Sequence, residues 1–209
     1  MPAAAAAESS DTRAPRLRFR RHLRSGAVDL VQMREHLARA VPQLTTDPEA
    51  RVAVEELVSH AGGLLGFSTA RDAGVEADIW TSATGVSLLV GVAHAAEMPS
   101  AAVALSHSRE RVLAGSGAAA RKLSVLCVVC GSQVDWRRLD DALAMRRMMR
   151  DTRLISIDAL LTLVALRADR VLAHTDAVAL VRPADARADA MIEVLARYRR
   201  QNQPPGTDD

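Results

Sequence analysis

Two apolar runs constrain this chain most: Leu88-Leu89-Val90-Gly91-Val92-Ala93 and Leu123-Ser124-Val125-Leu126-Cys127-Val128-Val129. Both are short and hold β-branched residues, so both read as strands. Neither alternates apolar with polar side chains, and a strand that offers water neither face needs a layer above and below its sheet. The flanking segments can supply those layers. Val28, Leu30, Val31, Met33, Leu37 and Val41 recur near helical spacing until Pro42. Asp47 and Pro48 suit the N-cap and first turn of a second helix carrying Val52, Val54, Leu57, Val58, Leu64 and Leu65, with Gly62, Gly63 and Gly66 loosening its end.

The remaining order completes an α/β pattern. Arg71 to Gly74 reads as a turn between short strands, and Asp78-Ile79-Trp80 pairs with the Leu88 strand across residues 81–85. Residues 99–120 form a helix with Val103, Leu105, Val112 and Leu113 inward, stopped at Gly115-Ser116-Gly117. Asp135 to Arg150 is a strongly charged helix that turns Leu139, Leu143, Met145 and Met148 inward; the strand Arg153-Leu154-Ile155-Ser156 follows. Helices then span Asp158–Leu166, capped by Ser156 or Asp158; Val171–Leu180, stopped by Pro183; and Asp185–Arg200. The expected organisation is a flexible, Arg-rich segment at 1–25, an α/β core at 26–168, a helical extension at 169–200 and a polar tail at 201–209. The fold expected is a single domain with a central mixed sheet flanked by helices.

Composition narrows the function classes. The 209 residues are 49% hydrophobic, enough for a substantial core, and 27 Lys and Arg against 25 Asp and Glu leave a net charge of only +2. Bulk electrostatics therefore give no argument for nucleic acid, and an aromatic content of 2% disfavours a base-stacking surface. Local clustering is another matter: Arg16, Arg18, Arg20, Arg21 and Arg24 fall within nine residues and could grip phosphates. Alternatively, this stretch is a solvated flank that docks Leu17, Phe19 and Leu23 on the body. No apolar run is long enough to span a bilayer and the start lacks a signal-peptide pattern, so no membrane partner and a cytoplasmic location are expected. Cys127 and Cys130 have the spacing of half a zinc site, but three residues apart on a strand they point to opposite faces, so they read as buried structural thiols.

The order of helix, Gly-aromatic turn, strand with Asp78, turn and apolar strand resembles the core of the restriction-endonuclease-like (PD-(D/E)XK) superfamily. The late Arg153 to Leu161 stretch resembles its strand-to-helix ending, and the likeness extends over residues 50–160. It implies a prokaryotic DNA-processing or defence role and an active site on two paired strands. There an Asp on one strand and a Glu two residues before a Lys on the next hold magnesium and steer a water. Asp78 matches the first Asp, preceded by Glu76. Aligned on the end of the second strand, the Glu position falls on Gly91 and the Lys position on Ala93, so both functional groups are missing.

Three replacements are open: Glu55 or Glu56 on the preceding helix, like the family's helical acid; Glu97 beyond the strand; and His94 as a base. By alternation His94 faces away from Gly91 and Ala93, so it would need a bulge or the frayed strand end to help. A structural alternative for Asp78 is a turn cap or an ion pair with an arginine such as Arg71, and for Gly91 close packing of a helix. His60, His107 and His174 lack a partner ligand at helical spacing. No phosphate-binding loop or Gly-x-Ser-x-Gly elbow occurs. The expectation is thus a catalytically degenerate nuclease-fold protein, a DNA-associated or scaffolding subunit with no cofactor. The alternatives are a magnesium-dependent DNA endonuclease with migrated acids, and a module that binds a protein partner or a second copy through its charged helices.

Overall fold

Asp29 caps the first described helix, α1 (Leu30–Ala40), by accepting from the Gln32 amide at 2.8 Å; Met33 and Leu37 turn inward before Pro42 tightens the end into a 3-10 turn. Asp47 caps α2 (Pro48–Leu64) in the same way through the Glu49 amide at 2.8 Å. Gly62 and Gly63 do not loosen α2: both stay helical, and a Cβ on Gly62 would lie 2.6 Å from the Trp80 ring, so its lack of a side chain lets the indole seat against the helix. These elements belong to a computed structural model that describes residues 29–71, 77–115, 123–131, 135–145, 150–184 and 188–202. Outside these residues lie Arg16, Arg18, Arg20, Arg21 and Arg24, together with Glu76, Ser116, Gly117 and Met148.

Five strands follow: β1 (Ser68–Arg71), β2 (Asp78–Thr81), β3 (Ser87–His94), β4 (Leu123–Cys130) and β5 (Thr152–Ser156). They form one open sheet in chain order, antiparallel from β1 to β3 and parallel from β3 to β5. The antiparallel steps need only short turns, and between β2 and β3 the Val86 amide donates to the Ser82 hydroxyl at 3.1 Å. The parallel steps need helices: α3 (Met98–Gly115) bridges β3 to β4 and α4 (Trp136–Met145) lies between β4 and β5. Three more helices follow among the described residues: α5 (Ile157–Ala168), α6 (His174–Val181) and α7 (Ala188–Asn202), the last running two residues into the expected tail. Ser156 is the cap of α5, accepting from the Ala159 amide at 3.1 Å. Arg170 then turns left-handed (φ 59°), which delays α6 to His174, three residues later than the periodicity predicts.

Both faces of the sheet are covered, as the unalternating strands require. On one face Val54, Leu57, Trp80, Leu88, Val90, Val128, Ile155 and Leu160 join a cluster with α1, α2, α5, α6 and α7. On the other, Leu89, Ala93, Val125 and Cys127 meet Leu105 of α3 and Leu139 and Leu143 of α4. Each fully buried Leu contributes about 1.5–3 kcal/mol, so these clusters outweigh any single ion pair in holding the fold. The fold is α/β, a five-stranded mixed sheet between helical layers. Among the described residues, no helix is long and apolar enough to cross a membrane.

Candidate functional site

β2 opens on Asp78, opposite Arg71 at the end of β1, and α2 lays Arg51 and Glu55 one turn apart on its sheet-facing side. The Arg71 guanidinium donates to Glu55 Oε2 at 3.1 Å and stands 3.8 Å from Asp78 Oδ1. All three side chains are largely withdrawn from water, at 11% exposure for Arg71, 13% for Glu55 and 7% for Asp78. Two carboxylates crowded in such a place repel one another unless a cation lies between them, and here that cation is covalently part of the chain. Glu56, next along α2, is also buried.

The pairing of β2 with β3 sets what faces this cluster. Asp78 lies opposite Val90, so Asp78, Val90, Val92 and His94 share the face toward α2, while Gly91 and Ala93 look to the α3 side. This corrects the expectation that Gly91 and Ala93 stand in the missing Glu and Lys positions beside Asp78. A Cβ on Gly91 would lie 2.3 Å from Leu105 Cδ2, so that glycine lets α3 approach the sheet. The positions beside Asp78 are Val90 and Val92, both aliphatic. His94 reaches Asp78's face by simple alternation, without a bulge. Its Nδ1 accepts from the Ala96 amide at 3.3 Å, which puts the proton of the neutral ring on Nε2.

Glu97, another replacement acid, follows β3 in a 3-10 turn and is held by Arg51 at 2.7 Å. Of the replacement residues only Glu55 meets Asp78, through Arg71, while His94 and Glu97 lie at the far end of β3 on the same side of the sheet; an arginine engages each acid. Arg71 as Asp78's partner was legible in the sequence. Arg51 was missed, because the 46 residues that separate it from Glu97 leave no local signal.

Magnesium asks for several free oxygen ligands in near-octahedral order. Glu55 and Asp78 already share Arg71, and Val90 and Val92 supply no oxygen, so the residues present do not fit that ion. Among the described residues, no three His, Cys, Asp or Glu side chains converge as a metal site.

Next to His94 in register, Cys130 ends β4. Burial pushes its thiol up to about 12; nearby Asp158 adds to the rise and Arg51 opposes it. Cys127 is likewise raised to about 12, by burial and then by Cys130. Neither cysteine is in a disulfide, and the two lie in different clusters on opposite faces of β4, as the strand spacing predicts. Of the other histidines, His60 is half-buried on α2 and burial lowers its pKa. His107 is exposed on α3. His174 donates from Nδ1 to the Leu65 carbonyl at 2.8 Å, with its ring edge-on to Phe67 at 5.1 Å.

A second polar centre, which sequence reasoning missed, lies on the same side of the sheet. Arg153 of β5 is buried and donates to the carbonyls of Leu180 at 3.1 Å and Ala184 at 3.2 Å, and to the Met191 sulfur at 3.7 Å. Burial pulls its pKa down while Asp189 opposes the shift; Asp189 also accepts from the Ser156 amide at 3.1 Å. The available signal was an arginine beside Leu154 and Ile155 within a strand.

Fold and site together define an α/β protein with an arginine-bridged carboxylate cluster where β1 and β2 meet α2. Compared with protein-family models, curated proteins and solved structures, the chain has no match.

Proposed function

We propose that this chain is a catalytically degenerate protein of the restriction-endonuclease-like class, acting as a DNA-associated or scaffolding subunit. One observation carries the reading: Arg71 occupies the space between Glu55 and Asp78, and the β3 side chains on that face are Val90 and Val92. Supporting the class is the order of α2, an antiparallel run of three strands, a crossover helix and a parallel strand, with an acid opening the second strand and another on the preceding helix. The chemistry of that class needs two carboxylates open to a metal and a cation free to act on water. Here the cation is held between the two carboxylates rather than left to act on water. The DNA contact would come from Arg16, Arg18, Arg20, Arg21 and Arg24, whose guanidinium groups suit phosphate oxygens.

Two measurements test this. Incubated with plasmid and magnesium or manganese, the full chain is expected to leave the DNA intact; metal-dependent cutting that disappears in Asp78→Ala overturns the degenerate reading. In a mobility-shift titration, binding should weaken steeply with salt and vanish when residues 1–25 are removed. A full chain that shifts no DNA even at low salt rules out the DNA-associated role.

A further inference from the structure

Met191 joins water to the buried interior. It sits on α7 with 42% of its surface exposed, yet its sulfur accepts from Nη2 of Arg153 at 3.7 Å, and Arg153 is only 3% exposed. The other nitrogens of that guanidinium give to carbonyl oxygens, Nε to Leu180 at 3.1 Å and Nη1 to Ala184 at 3.2 Å. A guanidinium withdrawn from water needs strong acceptors, and a thioether is a weak one. Of these three contacts the sulfur is therefore the poorest match. It is also the one whose chemistry can change in place.

Hydrogen peroxide transfers an oxygen atom to a methionine sulfur: the S–O bond forms, the O–O bond breaks and water leaves. The electron pair given up by sulfur reduces the peroxide. In an apolar core the polar product disrupts packing. At Met191 the sign is reversed, because the side chain is partly in water and its sulfur already faces a buried cation. An oxygen one bond beyond that sulfur can take a charge-assisted hydrogen bond from Nη2, on a side chain flexible enough to aim it. We propose that Met191 is an oxidation site whose sulfoxide clamps α7 more firmly to β5 through Arg153, so that peroxide tightens this contact instead of breaking it. The proposal is independent of the nuclease reading. Two other methionines calibrate access: Met33 is 0% exposed and Met145 79%.

Millimolar hydrogen peroxide applied to the full chain, followed by peptide mapping in a mass spectrometer, tests the accessibility. Met145 should convert first and Met191 next, while Met33 stays unmodified in the folded protein. Thermal melts followed by circular dichroism test the clamp. Peroxide should raise the Tm of wild type by roughly 2–4 °C relative to its effect on Met191→Leu, which keeps every other methionine but cannot form this sulfoxide. Met191→Gln places an amide oxygen near the position of the sulfoxide oxygen. Without any oxidant it should melt above Met191→Leu by a similar margin, since Met, Leu and Gln have similar helix propensities. A Met191 that stays unmodified once Met145 is fully converted overturns the proposal. So does a peroxide-induced change in Tm no more favourable in wild type than in Met191→Leu, or a Gln variant no more stable than the Leu variant.

Discussion

Replacing Arg71 with Ala is the most direct probe of the bridged cluster. The substitution removes a guanidinium 3.1 Å from Glu55 and 3.8 Å from Asp78 and leaves both carboxylates, 13% and 7% exposed, without that cation. Breaking a buried pair by removing one partner costs about 3–5 kcal/mol. The wider Asp78 separation and the remaining solvent access place the expected loss near the lower figure, about 3 kcal/mol. For a domain of this size that lowers Tm by roughly 6–12 °C. The pH dependence has a definite sign. With the cation gone, burial raises the folded-state carboxylates above their unfolded values. The folded variant then binds more protons than its unfolded chain, so the variant should recover stability as pH falls from 7.5 to 5.5. Urea unfolding followed by circular dichroism at the two pH values measures both effects. A loss below about 0.5 kcal/mol at pH 7.5, the scale of an exposed ion pair, would refute the claim that Arg71 holds the site shut.

Further substitutions and a thiol-labelling experiment follow from the geometry. Gly91→Ala puts a methyl 2.3 Å from Leu105 Cδ2 and should cost about 1–3 kcal/mol in thermal melts; an unchanged Tm would show that α3 is free to shift. Any attempt to rebuild a carboxylate and a lysine beside Asp78 should accordingly use Val90→Glu and Val92→Lys. Gly91→Glu and Ala93→Lys would drive charge into the α3 core and unfold the chain. Because burial holds both thiols up to about 12, a disulfide-exchange reagent at pH 8 should label neither cysteine in the folded protein and both in urea. Since these thiols ionise more readily unfolded than folded, stability should also fall as pH rises above about 9; rapid labelling in buffer would contradict the burial.

The strands and helices were legible because periodicity is local. Leu88 to Ala93 reads as a strand covered on both faces, and Asp47-Pro48 announces α2, without knowledge of anything distant. Alternation also separates Gly91 and Ala93 from His94 within one strand. It is silent on which of those two sets faces Asp78, because that depends on the pairing of Asp78 with Val90, and a slip of one residue exchanges every side chain between faces. The error over the missing Glu and Lys positions was of this kind. Arg51 with Glu97, and Arg153 with Leu180 and Ala184, escaped for a related reason: the partners are brought together only by the finished sheet and its covering helices.

Arg153 also bears on the order in which a chain leaving the ribosome can fold. Its three acceptors, on Leu180, Ala184 and Met191, lie 27, 31 and 38 residues downstream. A nascent chain that has released β5 but not α7 can assemble β1 to β4, whose parallel and antiparallel pairings are complete by Cys130. Adding β5 at that moment would bury a cation with no carbonyl to receive its protons, at a cost of several kcal/mol. The edge of β4 is therefore expected to stay unpaired until the Leu180, Ala184 and Met191 acceptors have emerged. At about 5–20 residues per second that leaves an apolar strand edge open for seconds, the interval in which a chaperone or a neighbouring nascent chain could pair with it.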